Sequence, residues 1–231
     1  DGMGEYLRLL DEDGHRRFSG SLRLFAKDVP GIAEKHRARV VYNGGDDVLA
    51  FAPLDTAIPF AQALANSFQE HTTRTASAGI AIAHHLAPLS ATLEAAGQAE
   101  HWAKQMPCKN ALAVFALRRS GEDLRARSGW GEIAPFKKLV EAFVRDTLSA
   151  RLPYDVARSA YALPNADDML EAELRRLLKR HWQGKKEERD SQAQRMSLAL
   201  RGWAASFPAD QAMQLSAWLA LARFVAKGGR E

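Results

Sequence analysis

Val40-Val41-Tyr42-Asn43-Gly44-Gly45-Asp46-Asp47-Val48-Leu49-Ala50 is the stretch that decides the fold. Two apolar runs, Ala38 to Tyr42 and Val48 to Ala52, flank Asn-Gly-Gly-Asp-Asp, and that arrangement predicts a β-hairpin. The turn carries two adjacent carboxylates, Asp46 and Asp47. Neighbouring acids repel each other and favour a cation beside them. The glycines remove side chains, so a bulky anionic ligand could approach the backbone. Carboxylate oxygens with open positions beside them suit Mg²⁺ or Mn²⁺ holding phosphates. The same residues are also sound turn chemistry in their own right, with glycine supplying positive φ and Asp capping.

Working outward, Phe18 to His36 reads as a helix that Val29-Pro30 should break or kink. After the hairpin, Asp55 is the expected N-cap of a helix with Ile58, Ala61, Leu64, Ala65 and Phe68 on its inner stripe. Thr75 to Ala83 predicts a third strand. Pro88 and Ser90 open a further helix, with Leu93, Ala96, Ala99, Trp102, Ala103 and Met106 expected to face inward. Asn110 to Leu117 predicts a fourth strand. With one more strand ahead of Gly2, this order is that of a ferredoxin-like palm, an α+β fold. The chain starts with Asp rather than Met, abruptly at a Gly-rich segment, so the expectation is a fragment whose first strand is missing.

Arg118 to Gly131 is polar and Gly-bearing and reads as the boundary between a palm at 1–131 and a second domain at 132–231. Beyond it, four amphipathic runs predict an all-α helical bundle. They are Phe136 to Leu148, Met169 to Trp182, Met196 to Phe207 and Met213 to Val225. Pro153, Pro164 and Pro208 fall between or at the ends of these runs.

Composition narrows the classes. The single cysteine, Cys108, excludes an internal disulfide and a cysteine-based zinc site and suggests a reducing, cytoplasmic setting. No apolar run approaches the ~20 residues that cross a bilayer, so no membrane partner is expected. The net charge of +4 is compatible with a nucleotide or nucleic-acid partner.

The hairpin stretch resembles the palm hairpin of the large subunit of type III CRISPR effector complexes, most closely the Cmr-type, III-B, branch. Other pieces agree in order: His15-x-x-Phe18-Ser19, Val29-Pro30-x-Ile32-Ala33-Glu34, Ser77 to His85 with Pro88-Leu89, Ala99-Glu100-x-x-Ala103-Lys104, and Lys109 to Leu112. The last two also resemble GGDEF diguanylate cyclases, although an Asp in place of their Glu-Phe ending favours the CRISPR family. Asp1-Gly2-Met3-Gly4 is similar to the second half of that family's Asp-Gly-Asp-x-Met-Gly segment.

The resemblance implies a nucleotidyltransferase that makes cyclic oligoadenylates from ATP when target RNA binds the guide complex. Asp46 and Asp47 would be catalytic and hold the metals, with Asp1 as a further ligand. Gly44, Gly45, Asn43 and Lys104 would lie around the nucleotide, with Lys104 on the triphosphate. Mg²⁺ or Mn²⁺ would be the cofactor, and guide RNA, target RNA and other effector subunits the partners. The alternative is an idle palm acting as an RNA- and subunit-binding scaffold. No His-Asp dipeptide occurs, so the family's HD nuclease motif is not expected here.

Several other residues read as structural. His84 and His85 sit at a strand end, where adjacent side chains should point to opposite faces. Trp130, Trp182, Trp203 and Trp218 read as core or interface anchors. The run Arg175 to His181 with Lys185-Lys186 is either a solvated face or a patch facing RNA or a subunit. Cys108 has no activating neighbour.

Overall fold

The computed structural model describes residues 2–119, 121–160, 167–207 and 210–229. Pro164 and Pro208 lie outside the described residues. The chain opens with a short helix α1 (Met3–Arg8) and a long helix α2 (Glu12–Lys35). Asp11 caps α2 by accepting the N–H of Gly14 at 2.7 Å. The helix buries Phe18, Phe25, Val29 and Ala33, spaced seven, four and four residues apart on one stripe.

The expected break at Val29-Pro30 does not occur: α2 runs through Pro30. Proline costs a helix the bond to the carbonyl four residues back, here Ala26. That carbonyl instead accepts the side-chain amide of Asn43 at 2.9 Å.

Asn43 closes the hairpin of β1 (Arg39–Asn43) and β2 (Val48–Phe51), which pair antiparallel with a register shift between Val40 and Tyr42. Val40, Val48 and Ala50 turn inward onto α2 and onto Phe60, Leu64 and Phe68 of α3 (Ala57–Thr72). Asp55 does not cap α3. It is ion-paired with Arg37, and Thr56 stands at the N-cap with its hydroxyl donating to the carbonyl of His36 at 2.7 Å.

β3 (Ala78–Ile82), α4 (Leu89–Lys104) and β4 (Ala111–Ala116) form a parallel βαβ unit, and β5 (Leu124–Gly129) adds antiparallel to β4. The hairpin forms its own two-stranded sheet, and no strand among the described residues joins it to the sheet β3-β4-β5. α4 sits on β3 at Gly79, where an added Cβ would lie 2.2 Å from the backbone nitrogen of Glu100 and 2.3 Å from the carbonyl oxygen of Ala96. So close an approach selects small residues on α4. Its buried residues are Ala95, Ala99 and Ala103, while Leu93, expected inside, is exposed.

The stretch read as the domain boundary, Arg118 to Gly131, contains β5. Its alternation is hidden in a polar sequence. Arg125 and Arg127 lie on the α4 side, their guanidiniums 4.7 Å above the rings of Phe115 and Trp102 respectively. Ala126 and Ser128 turn the other way, into the core.

That core continues into the second half of the chain. A single 3-10 turn (Trp130–Glu132) leads to α5 (Ala134–Val144), α6 (Leu152–Ala160), α7 (Asp167–His181), α8 (Arg189–Ala204) and α9 (Gln211–Ala226). One hydrophobic cluster holds Leu112, Val114 and Ala126 of the sheet together with Phe136, Leu174, Trp203, Leu215 and Trp218 of the helices. The helices dock through indole N–H groups: Trp203 donates to Ser128 Oγ at 2.8 Å and Trp218 to the carbonyl of Arg127 at 3.0 Å. Trp130 donates to the carbonyl of Ala76 at 2.8 Å. These three tryptophans are buried anchors, as expected. α6 is a helix the sequence reading lacked; Pro153 sits in its first turn, where a missing N–H costs little.

Candidate functional site

The acidic turn stands at the tip of the β1–β2 hairpin. Asn43 and Val48 are the last paired residues, and the N–H of Gly44 donates to the carbonyl of Asp47 at 2.9 Å across the turn. Gly45 has φ +96, a conformation that side-chain-bearing residues rarely adopt, so this position requires glycine. Gly44 lies under the ring of Tyr42; a Cβ there would meet the phenol oxygen at 2.2 Å. Asp46 and Asp47 are both exposed.

Opposite the inward face, Val41, Tyr42, Leu49 and Phe51 form an exposed apolar surface beside the carboxylates. Val41 and Tyr42 both point outward because the register shift between Val40 and Tyr42 breaks the usual alternation.

The structure distributes the other expected site residues differently. The Asn43 amide is committed to Ala26, so this side chain holds the turn onto α2. Lys104, in the last turn of α4, is ion-paired with Glu100 at 2.5 Å, and half of its side chain is exposed. Asp1 lies outside the described residues.

Among the described residues, no group of three or more His, Cys, Asp or Glu side chains forms a metal cluster. The turn thus offers at most two carboxylates, Asp46 and Asp47, short of such a cluster. Mg²⁺ suits such a pair, since it keeps several waters and takes only one or two carboxylates plus phosphate oxygens.

Sequence reasoning passed over Arg74 and gave Lys109, quoted in a family-like segment, no role at the site. Both flank Gly2 at the start of α1: a Cβ on that glycine would lie 3.6 Å from Arg74 Nη2 and 3.9 Å from Lys109 Nζ. Lys109 and Asn110 both hold positive φ, 51 and 47, a left-handed pair just before β4. Nothing in the local pattern of the sequence marks such a convergence.

His84 and His85 lie beyond the end of β3, where strand alternation no longer applies, and their rings are 4.2 Å apart rather than on opposite faces. The N–H of Leu86 donates to His84 Nδ1 at 3.2 Å. Burial, with the positive charges of Arg119 and His85, lowers the His84 pKa below its ordinary value. Cys108 is an exposed free thiol.

A mixed sheet-and-helix palm with an acidic Gly-Gly-Asp-Asp hairpin, followed by helices, is the class that the fold and the turn define. Residues 1–113 match the family described as Cas10/Cmr2, second palm domain. The chain is 32% identical over 177 residues to the CRISPR system Cmr subunit Cmr2 of Pyrococcus furiosus, covering 69% of this chain and 20% of that protein. It is 34% identical over 122 residues to the CRISPR system single-strand-specific deoxyribonuclease Cas10/Csm1 (subtype III-A) of Mycobacterium tuberculosis, covering 52% of this chain and 14% of that protein. The chain thus spans a fifth or less of the length of these two relatives. Its residues 1–113 belong to the Cas10/Cmr2 palm-domain family, and the chain is similar to two CRISPR subunits, one of them of subtype III-A. No helix among the described residues is long and apolar enough to cross a membrane.

Proposed function

We propose that this chain is the catalytic palm of a type III CRISPR large subunit, converting ATP into cyclic oligoadenylates in the cytoplasm when the guide complex holds target RNA. The observation that carries this reading is the pair Asp46 and Asp47, exposed on a turn whose Gly45 is required by its positive φ. Packing does not account for two carboxylates at this place, whereas metal-assisted nucleotidyl transfer uses such a pair. Mg²⁺ or Mn²⁺, when bound, supplies charge neutralisation of the triphosphate and activation of a ribose 3′-hydroxyl.

The chain's own residues have separate parts in this scheme. Asp46 and Asp47 hold the metal, with Asp1 as a further ligand. Gly45 leaves the backbone open to ribose and phosphate, and Gly44 would do so once the Tyr42 ring that covers it swings away. Asn43 positions the turn through α2. Lys104 would exchange its ion pair with Glu100 for the triphosphate, and Arg74 and Lys109 add positive charge beside Gly2.

The alternative is an idle palm that binds RNA and neighbouring subunits. The exposed apolar surface of Val41, Tyr42, Leu49 and Phe51 favours it, since such patches mark interaction sites. The test is ATP turnover with Mn²⁺ by the full-length protein in its guide complex, with and without target RNA, resolved by mass spectrometry. The expected result is adenylate oligomers that depend on target RNA and vanish in Asp46→Ala/Asp47→Ala. Product output unchanged by that double substitution would overturn the catalytic reading. No product from the parent complex under any condition would favour the scaffold.

A further inference from the structure

A polar concavity lies in the helical half. Ser149, Arg151, Tyr154, Asp155, Arg158, Arg180, His181 and Gln183 enclose about 510 Å³. Beside it an isolated antiparallel bridge joins Leu148 and Trp182. There the N–H of Ser149 donates to the carbonyl of His181, and the N–H of Gln183 to the carbonyl of Thr147, both at 2.9 Å. Arg151 stands just before α6, and Asp155 and Arg158 follow it at helical spacing within the helix. Arg180 and His181 enter from the last turn of α7, a helix end that favours cations.

The charges in this concavity are unbalanced. His181, only 7% exposed, bonds through Nε2 to Asp155 Oδ2 at 2.8 Å. That hydrogen bond, with the positive charges of His181, Arg180 and Arg158, holds the Asp155 carboxyl below its ordinary range. The one carboxylate is thus engaged by the imidazole. Among the described residues, none of the three guanidiniums is within ion-pair distance of a carboxylate.

We propose that this concavity is a binding site for the phosphate of a nucleotide. Three guanidiniums converge from a loop and two helices. A tetrahedral phosphate offers acceptor oxygens in several directions at once, whereas a single carboxylate is satisfied by one planar fork. The ring of Tyr154, 57% exposed and carrying the Arg223 guanidinium at 5.3 Å, offers a flat surface beside the arginines for a base. The volume lies within the range of small-ligand pockets. The phosphate can belong to a free nucleotide or to the end of an RNA chain. The site is separate in residues from Asp46 and Asp47, so it stands whether or not the palm is catalytic.

The test is equilibrium binding to the full-length protein in EDTA, which silences a metal-dependent hairpin site. The probes are ADP and one short RNA carried either with a 5′-phosphate or with a 5′-hydroxyl. The variants are Arg151→Gln/Arg158→Gln, which changes two exposed side chains, and Arg175→Gln as a surface control on α7. The first pair is expected to weaken at least one phosphate probe about tenfold or more, while the control leaves it unchanged and both keep the parent's melting temperature. Loss confined to ADP assigns a free nucleotide, and loss confined to the 5′-phosphorylated RNA assigns a chain end. Binding of every probe indifferent to Arg151→Gln/Arg158→Gln overturns the proposal. So does displacement of the bound probe by oligoglutamate as readily as by pyrophosphate, which would mark an acidic protein partner instead.

Discussion

Asn43 and Ala26 are joined by a 2.9 Å hydrogen bond in which the side-chain amide of a hairpin residue donates to a carbonyl inside α2. Pro30 has no N–H to offer that carbonyl, so a defect in the helix becomes an attachment point for the acidic turn. The acceptor also fixes the orientation of the amide, and Asn43 Oδ1 is left buried without a partner. Asn43 directly precedes Gly44, so the base of the turn is held to the long helix.

Asn43→Ala should therefore destabilise the protein by about 0.5–1.5 kcal/mol, the usual net contribution of a partly buried hydrogen bond. In a Pro30→Ala background, residue 30 regains its N–H and can serve Ala26 itself. The same substitution should then cost clearly less. Denaturant unfolding of the four proteins measures the coupling; equal costs in both backgrounds would show that Pro30 is irrelevant to Asn43.

Two glycines should fail for different reasons. Gly79→Ala drives a Cβ into the backbone of α4 and should cost about 1–3 kcal/mol, because neither Glu100 N nor Ala96 O can swing aside. Gly45→Ala meets only Leu22, at 3.9 Å, and its cost of about 1–2 kcal/mol comes from φ +96. Crystal structures of the two variants should show α4 displaced in the first and the turn rebuilt in the second. An undisturbed α4 in Gly79→Ala would contradict the close approach.

Trp203→Phe keeps most of the buried ring but removes the donor to Ser128 Oγ. A loss of about 1–2 kcal/mol is expected, with Trp218→Phe similar through the carbonyl of Arg127. Hydrogen exchange should report faster opening of β5 in both variants. Exchange of β5 at the parent's rate would mean that the indole bonds do not hold the strand.

Glu173 accepts from Arg176 Nε and Nη2 and from Ser159 Oγ, each at 2.7 Å, tying α6 to α7. Chiefly through the Arg176 bond, its pKa falls from 4.5 to about 2. The folded value lies below the unfolded one, so the stability this group contributes is complete above 4.5 and is lost as pH falls towards 2. Glu173→Gln should be less stable than the parent at neutral pH, and the two stability curves should converge on acidification through that window. Curves that remain parallel down to pH ~2 would show that the carboxylate's ionisation carries no stability.

The hairpin, both flanking strands and β4 were legible because apolar runs bounded by glycine and Asp leave few alternatives. β5 was not legible: its arginines read as solvent-facing, and only the positions of Phe115 and Trp102 reveal what they cover. The continuity of α2 through Pro30 was hidden for a related reason, since the compensating donor lies 17 residues away from Ala26. At the candidate site, chemistry local to the turn could be read from Gly44 to Asp47. The pairing of Lys104 with Glu100 and the gathering of Arg151, Arg158 and Arg180 depend on helix packing that spacing alone does not encode.

The family match ends at residue 113, in the middle of β4, yet the sheet goes on to β5 and to the tryptophans that grip it. Palm and helices therefore do not exchange as independent modules. A chimaera joined between β5 and α8 would part Ser128 and Arg127 from Trp203 and Trp218, and each parent would bring a lock without its key. Recombinants that fold should be those whose crossover keeps β5 and the two tryptophan-bearing helices in one inheritance.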